Sequence, residues 1–173
     1  MTLIKSMVSS KSNEWETPQD LFDVLNEEFD FTLDPCATVQ NTKCDFFFIP
    51  EEDGLSRDWF EEVVFMNPPY GRQVGKWIKK AYEESLKGAI VVCLIPATPD
   101  RSFWHDYIFP YAVQIRFLRG RLKFGGMKDP APFPSAIIIF AARRHYYHKI
   151  KYYPESICKN LNIKDEKYYD RDY

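Results

Sequence analysis

The fold class is decided by residues 63–96, which read VVFMNPPYGRQVGKWIKKAYEESLKGAIVVCLIP. The segment opens with the apolar run Val63–Met66 and then turns at two prolines. From Val74 to Leu86, apolar residues recur at the i, i+3, i+4, i+7 spacing of an amphipathic helix. Gly88 ends that helix, and residues 89–95 are apolar without interruption. Because uninterrupted apolar strands are typical of parallel sheets covered by helices, the segment predicts a strand–helix–strand unit.

The same alternation extends in both directions along the chain. Thr17 and Pro18 predict a helix start, with Thr17 as the N-cap and Pro18 in the first turn of a helix at about residues 18–29. Further patterns predict a short helix near 101–108 and strands at 31–34, 46–49, near 112–118 and at 135–141. We therefore expect an α/β fold with a mostly parallel mixed sheet of about seven strands and helices on both faces.

Length and composition predict one domain. A chain of 173 residues falls in the usual size range of a single folded unit. We expect a flexible N-terminal segment at 1–12, a folded domain at 13–142, and a basic, aromatic C-terminal extension at 143–173 that packs on the domain or trails from it. No stretch reaches the ~20 apolar residues of a membrane helix, and the N-terminus lacks the apolar centre of a signal peptide. The sequence thus predicts a cytoplasmic protein without membrane contact.

The cysteine and histidine residues do not predict a metal site. The four cysteines are scattered without a Cys-x-x-Cys pair, at Cys36, Cys44, Cys93 and Cys158. His145 and His148 lie close together but have no cysteine or carboxylate partner in their pattern. We expect reduced thiols and no metal cofactor.

Acidic and basic residues are divided unevenly along the chain. Residues 1–70 contain 4 Lys/Arg and 15 Asp/Glu, whereas residues 71–173 contain 19 and 10. A protein that binds a polyanion needs one basic face, although a solvated surface of mixed sign explains the same numbers. Candidate DNA contacts lie in a glycine-containing loop and in the C-terminal extension, namely Arg119, Arg121, Lys123, Arg143 and Arg144. The loop is alternatively a solvated hairpin, and the extension a surface element anchored by its tyrosines.

Polar motifs follow the predicted strands, and Asn67–Tyr70 is the most informative of them. Ligands of open α/β sheets bind at the carboxyl ends of the strands, where these motifs are predicted to meet. Pro68 and Pro69 lack N–H groups and make a stiff turn whose carbonyl oxygens can accept hydrogen bonds. Asn67 adds an amide oxygen, and Tyr70 adds a ring on which a base can stack. Two acceptors on an exocyclic amine favour a pyramidal nitrogen that can attack, so we expect Asn67 to be exposed in a pocket. The alternative is a purely structural bend.

The ordered set of motifs resembles a known enzyme family. Residues 63–70 resemble the catalytic motif of S-adenosylmethionine-dependent amino-methyltransferases, and the chain is similar to phage-type DNA N6-adenine methyltransferases over about residues 13–141. The other motifs that carry the resemblance are Trp15-Glu16-Thr17-Pro18, Asp34-Pro35-Cys36-Ala37, Asn41, Asp53-Gly54-Leu55, Asp58-Trp59, residues 119–124 and residues 132–135.

The resemblance implies a Rossmann-like methyltransferase fold and a role for each motif. Asn67 and the Pro68 carbonyl would hold the target amine, and Tyr70 would stack on the base, with Pro69 completing the catalytic corner. S-adenosylmethionine would be bound by residues of the remaining motifs, namely Trp15, Thr17, Pro18, Asp34, Cys36, Asp53 and Leu55. Asp34 and the backbone around Cys36 would adjoin the methionine part of the cofactor. Thr17-Pro18 would close over that part, and Asp53 would contact its adenine or ribose.

Two features depart from larger methyltransferases. Asp34-Pro35-Cys36-Ala37 replaces the glycine-rich turn after the first strand. The distance in sequence from Asp34 to Asn67 is short, which predicts that one helix–strand unit is trimmed. The acid that binds the cofactor ribose has no clear equivalent, with Glu51 and Glu52 as the nearest candidates.

Residues and resemblance together predict an enzyme that transfers a methyl group from S-adenosylmethionine to adenine N6 in double-stranded DNA. The target base would have to be flipped, because its amine is paired inside the stack. Two alternatives stay open. A protein glutamine-N5 methyltransferase can use the same tetrapeptide on a planar amide, and a catalytically inactive DNA-binding module can keep the same fold. The intact tetrapeptide favours the enzyme.

Overall fold

The computed structural model describes residues 15–142 and the backbone of two further short strands. The helices of the described residues are α1 (Gln19–Phe29), α2 (Val74–Lys87) and the short α3 (Phe109–Tyr111), which continues a π-helical turn at Trp104–Ile108. The strands are β1 (Leu33–Asp34), β2 (Phe46–Phe47), β3 (Val63–Met66), β4 (Ile90–Pro96), β5 (Gln114–Leu118), β6 (Ser135–Phe140), β7 (Lys151–Tyr153) and β8 (Lys167–Tyr168).

The predicted strand–helix–strand unit is present as β3–α2–β4, with β3 and β4 parallel. Strand β4 is apolar and buried along its centre, as its uninterrupted sequence predicts for a strand that neighbours cover on both sides. The helix α2 ends at Gly88, whose φ of 125° a residue with a side chain rarely adopts.

The strands form one mixed sheet in the order β2-β1-β3-β4-β6-β5-β7-β8. Strands β1 to β4 are mutually parallel along this order, and β5 shares their direction because β6 runs antiparallel to both β4 and β5. The carboxyl ends of β1 to β5 therefore meet at one edge. From β1 the chain moves outward to β2 and then returns to β3 on the other side of β1, so the strand order reverses between β1 and β3. Open α/β sheets bind ligands at such a reversal.

Helices cover both faces of the sheet, as the sequence predicted. Phe65 of β3 contacts Phe22 of α1, with ring centroids 5.1 Å apart. The side chains on the opposite face of the sheet are identified by the strand register. Val64 pairs with Val91, which pairs with Phe140. Side chains of paired residues share a face, and adjacent residues of one strand point to opposite faces. Phe140 contacts Tyr82 of α2, so α1 and α2 lie on opposite sides of the sheet.

A buried ion pair fastens α1 to strand β5. Arg116 is only 1% exposed, and its guanidinium binds both carboxylate oxygens of Glu28 at 2.5 and 2.6 Å. The same guanidinium lies 5.2 Å from the centre of the Phe29 ring. A two-point contact of this kind fixes orientation as well as distance. It holds the helix that begins directly after residues 15–17.

Gly54 allows the loop after β2 to pack against the loop after β1. A Cβ atom at Gly54 would lie 1.9 Å from the carbonyl oxygen of Pro35, so no other residue fits without moving the backbone. Trp59 is fully buried, and its indole N–H donates to the Gly54 carbonyl at 3.0 Å. The Asp-Gly-Leu and Asp-Trp motifs of the sequence thus have a packing role, because Gly54 lies against Pro35 and Trp59 is hydrogen bonded to Gly54.

Some local expectations differ from the structure. Thr17 is not the N-cap of α1, because Pro18 occupies that position and no side chain caps the helix. The connection from β1 to β2 contains no helix, which agrees with the predicted trimming, although β2 itself is retained as an edge strand. Residues 143–150, 154–166 and 169–173 of the predicted C-terminal extension lie outside the described residues, while β7 and β8 extend the sheet beyond β5. None of the described helices has the length and apolar character needed to cross a membrane.

Candidate active site

A pocket opens at the strand reversal between β1 and β3. Its walls come from the segment before α1, the loop after β1 and the proline corner after β3. The lining residues are Trp15, Glu16, Thr17, Asp34, Cys36, Ala37, Asn41, Lys43, Phe65, Asn67, Pro68 and Pro69. Four of the eight motifs that the sequence singled out therefore contribute residues to this pocket. Asp53, Leu55 and Tyr70 lie outside this lining, and Pro18 lies beside it as the N-cap of α1.

Asn67 has its amide nitrogen bound and its amide oxygen free. Its Nδ2 donates to the Trp15 carbonyl at 2.5 Å and to the Thr17 hydroxyl at 2.9 Å. Its Oδ1 is buried and has no hydrogen-bond partner among the described residues. The side chain is half-buried rather than exposed as expected from the sequence, because these two bonds draw it against the segment before α1. A buried acceptor without a donor is costly, by about 1–3 kcal/mol, unless a ligand supplies the missing hydrogen.

Asp34 and Lys43 supply opposite charges to the same pocket. Burial raises the pKa of the Asp34 carboxyl from 3.8 to about 6, against the lowering effect of hydrogen bonds from the backbone N–H groups of Cys36 and Lys43. The Lys43 ammonium donates to Gln19 Oε1 at 3.0 Å and lies 3.4 Å from Glu16 Oε1. Its side chain is only 10% exposed. The pocket therefore contains an anionic group at the end of β1 and a cationic group shortly before β2.

Cys36 lines the pocket as a neutral thiol. Burial, together with the negative charge of Asp34, raises the pKa of Cys36 well above its usual value. A thiol held neutral is a poor nucleophile. The structure gives Cys36 a packing position against the corner rather than a covalent role. Among the described residues, no group of three or more His, Cys, Asp or Glu side chains is placed to hold a metal ion.

Tyr70 lies in an aromatic cluster formed with Trp15, Phe124 and Phe133. The Trp15 and Tyr70 rings are stacked, with centroids 6.3 Å apart and planes inclined by 23°. Phe124 and Phe133 meet the Tyr70 ring edge-on at 6.0 and 5.5 Å. Tyr70 is 7% exposed, and its hydroxyl is buried with no hydrogen-bond partner in the described part of the chain. The ring predicted to stack on a base thus has aromatic neighbours from its own chain.

Comparison with known proteins identifies the family of the chain. The family model for DNA N-6-adenine-methyltransferase (Dam) matches residues 5–140. The chain belongs to this family. A DNA N-6-adenine-methyltransferase of Haemophilus phage HP1 is 27% identical over 145 residues, which cover 79% of this chain and 83% of the relative. A protein of the same description from Escherichia phage T1 is 32% identical over 94 residues, covering 53% of this chain and 39% of the relative.

A solved structure supports the same fold. A Listeria monocytogenes protein assigned to the class I S-adenosylmethionine-dependent methyltransferases superposes with a TM-score of 0.56 at 14% identity, covering 90% of this chain and 72% of the other. The Rossmann-like fold and the phage-type family predicted from the sequence are confirmed. This Dam-family chain is an S-adenosylmethionine-dependent DNA adenine methyltransferase.

The pocket of this Dam-family chain has the donor set that S-adenosylmethionine requires. The methionine part of that cofactor ends in an ammonium and a carboxylate. Hydrogen bonds between such ions and charged side chains are stronger than those between neutral groups. Asp34 would be the anionic partner of the ammonium, and Lys43, which also contacts Gln19 and Glu16, would be the cationic partner of the carboxylate. Phe65 adds an apolar side chain to the lining of the pocket. The residues present therefore fit the cofactor, while the individual contacts predicted for Asp53 and Leu55 stay predictions.

Basic side chains line the sheet edge beside the pocket. Arg72 follows β3, Arg101 follows β4, and the loop after β5 carries Arg119, Arg121 and Lys123, all of them exposed. The loop is anchored, since Leu122 and Phe124 are buried and Ala131 N–H donates to the Leu122 carbonyl at 2.8 Å. Its basic residues thus project from a packed base. Arg143 and Arg144 lie outside the described residues.

Three basic residues in or near the pocket were not singled out from the sequence. The sequence patterns assigned no role to Arg72 or Arg101, although each follows a predicted strand by a few residues. Lys43 also carried none, yet it is one of only 4 Lys/Arg in the first 70 residues. A lone cation in an acidic segment was the signal, because it predicts a local partner of opposite charge. The partners Glu16 and Gln19 lie more than twenty positions away and could not be paired with it from spacing.

Proposed function

We propose that this chain methylates adenine N6 at specific sites in double-stranded DNA, on a base flipped out of the helix into the pocket beside Asn67. The observation that carries the proposal is that the two polar atoms of the Asn67 amide differ in their hydrogen bonding. Its nitrogen is committed to Trp15 and Thr17, and its oxygen is a buried acceptor without a donor. An exocyclic amine supplies the hydrogens that this oxygen lacks.

The chain's residues would activate the amine by holding its hydrogens. Asn67 Oδ1 and the Pro68 carbonyl oxygen accept one hydrogen each, which favours a pyramidal nitrogen with an available lone pair. S-adenosylmethionine, when bound, supplies a methyl group on a positively charged sulfur that is already activated for transfer. Asp34 and Lys43 orient the ends of its methionine part. Fixed acceptors cost no reorganisation during the reaction, which is the main source of electrostatic catalysis.

Base flipping is part of the proposal because the amine is inaccessible in a duplex. The pocket lies between the segment before α1, the loop after β1 and the proline corner. An enzyme that modifies a paired base takes that base out of the stack before it reacts. Tyr70 is the stacking surface for the flipped base, and the cost of unstacking is offset when an aromatic ring replaces the lost neighbours. Trp15 occupies one side of that ring in the present conformation.

The DNA backbone would lie across the basic edge beside the pocket. Arg72, Arg101, Arg121 and Lys123 follow three different strands but share one edge of the sheet. Phosphate contacts set the register and orientation of a protein on duplex DNA.

The test is incubation of the purified chain with tritiated S-adenosylmethionine and duplex DNA, followed by nucleoside analysis. The expected product is labelled N6-methyl-2′-deoxyadenosine from the DNA, more from duplex than from single strands. Label in protein glutamine would support the protein methyltransferase instead. Binding of duplex DNA without any label in the presence of cofactor would support an inactive DNA-binding module. Either result contradicts the proposal.

A further inference from the structure

The proposed methyl transfer requires one of the two possible orientations of the Asn67 amide. A rotation of 180° about the last side-chain bond exchanges Oδ1 with Nδ2 at nearly the same positions. In one orientation the side chain offers an acceptor to the substrate amine. In the other it offers two hydrogens, which repel the hydrogens of that amine. Some part of the protein has to exclude the second orientation.

The segment before α1 carries the groups that can do so. The Trp15 carbonyl can only accept a hydrogen bond, so the atom of Asn67 that lies 2.5 Å from it must be the nitrogen. The Thr17 hydroxyl lies 2.9 Å from the same nitrogen and accepts its second hydrogen. Thr17 is 4% exposed, so water does not compete for this bond. Both hydrogens of the amide are then used, and the oxygen is turned the other way.

We propose that Thr17 is a positioning residue that, with the Trp15 carbonyl, locks the Asn67 amide with its oxygen available to the substrate. The identity of that substrate rests on the proposed function. Thr17 is free for this task because it does not cap α1, where Pro18 takes the N-cap position. The role differs from the cofactor contact that the family resemblance implies for Thr17, since the bond is made to the catalytic side chain itself.

The segment is held in place from two other directions. The backbone N–H of Gly125, in the loop after β5, donates to the Glu16 carbonyl at 2.8 Å. The Glu16 side chain lies 3.4 Å from the Lys43 ammonium. Residues 15–17 therefore cannot shift without disturbing the basic loop or the cofactor side of the pocket. This restraint makes the two acceptors fixed features of the site.

The kinetic test compares Thr17→Val, which keeps the shape and removes the hydroxyl, with Thr17→Ser, which keeps the hydroxyl. Thr17→Val is expected to lower kcat about tenfold, the effect of losing one hydrogen bond. Thr17→Ser is expected to restore most of kcat. The Kd for S-adenosylmethionine, measured by titration calorimetry, should be nearly equal in the three proteins. A weakened Kd with unchanged kcat at saturating cofactor would mean that Thr17 acts on the cofactor, and would overturn the proposal.

A spectroscopic test does not depend on activity. In ¹⁵N-labelled protein, the Asn67 side-chain NH₂ signals are assigned by their loss in Asn67→Asp. Thr17→Val should move one of the two proton signals upfield, and Thr17→Ser should leave both near their original positions. Unchanged signals in Thr17→Val would overturn the inference. A wild-type protein that labels no adenine would instead contradict the proposed function, and these spectra would still decide the role of Thr17.

Discussion

The two ends of the Asn67–Tyr70 corner are prepared for substrate to different degrees. At one end, the Asn67 nitrogen is bound by Trp15 and Thr17, and its oxygen is left without a donor. At the other end, the Tyr70 ring is stacked by Trp15 and edged by Phe124 and Phe133. The polar end is an empty position for a hydrogen-bond donor. The aromatic end is filled by the protein's own rings, so a base can reach it only after one of them moves.

Trp15 connects the two ends, because its carbonyl binds Asn67 and its indole stacks on Tyr70. Rotation of the indole alone would uncover Tyr70 and leave the Asn67 bond in place. A shift of the backbone would release both. We expect the first movement, because the Glu16 carbonyl is hydrogen bonded to Gly125 and holds the backbone on either side of it. This difference between the polar and the aromatic end can be tested by substitutions at each.

The largest effect is expected at the polar end. Asn67→Ala removes the acceptor oxygen and should lower kcat by about 10²–10³-fold, as loss of one preorganised contact does in comparable sites. The Kd values for cofactor and for DNA should change little, because the oxygen acts on the reacting amine. Steady-state methylation of a duplex oligonucleotide at saturating cofactor and DNA measures kcat, and calorimetry measures the two Kd values. Retention of more than about a tenth of the wild-type rate would contradict a catalytic role for the Asn67 oxygen.

Sequence patterns predicted the sheet and the polar corner well, for a physical reason. The run Val63–Met66, the helix that follows it and the strand through Ile90–Pro96 are recognisable because burial of one helix face or both sheet faces leaves a periodic signal in a few adjacent residues. The corner itself is local, since two prolines restrict it whatever surrounds it. The edge of the sheet at which it lies follows from strand direction.

The contacts around the corner could not be predicted, because they join residues that are distant in sequence. The bond from Asn67 to Thr17 spans 50 positions, and the contact of Phe124 with Trp15 joins two ends of the domain. Thr17 also shows that a hydrogen bond to a residue distant in sequence can replace a local one. Its residue type favours a helix cap, but the Asn67 nitrogen offers a buried donor that must be satisfied, and that tertiary bond prevails over the cap.

A smaller effect is expected at the aromatic end. Tyr70→Ala removes the surface on which the flipped base stacks and should weaken productive DNA binding by about 10–100-fold, in line with the strength of base–aromatic stacking. Tyr70→Phe is the matched control and should be nearly neutral, because the hydroxyl that it removes is buried without a partner. Fluorescence of a 2-aminopurine at the target position reports the flipped state. Equal losses in the two variants would mean that the hydroxyl, and not the ring face, is required.

The pocket that contains the polar end should also respond to pH, through Asp34 in its lining. Its pKa of about 6 means that the carboxyl of the free protein becomes neutral as the pH falls below 6. If the ionised form binds the cofactor ammonium, the Kd for S-adenosylmethionine should rise by about tenfold per pH unit well below that value. In the absence of cofactor, a fall in pH has the opposite effect on the stability of the fold: it stabilises the protein through Asp34. The raised pKa makes the contribution of Asp34 to the free energy of unfolding greatest below 3.8 and removes it as the pH rises through about 6.

Asp34→Asn is the control for this pH dependence. The variant should bind cofactor weakly, and between pH 5 and 7 its Kd should be nearly constant, since the titrating group is gone. Calorimetry across this range, in both proteins, gives the comparison. A wild-type Kd that stays constant down to pH 5 would show that the cofactor ammonium does not use the ionised Asp34 carboxylate.

The smallest effects are expected on the basic edge that adjoins the aromatic end. Arg72→Ala and Arg121→Ala should each weaken duplex DNA binding several-fold while leaving kcat at saturating DNA unchanged. Each lost phosphate contact should lower the slope of log Kd against log salt by about 0.9, because one fewer counterion is released. Lys79→Ala is the matched control, since Lys79 is exposed on α2 and pairs with Glu83. If all three variants share the wild-type slope, the DNA backbone does not cross this edge, and the route of the base to Tyr70 must lie elsewhere.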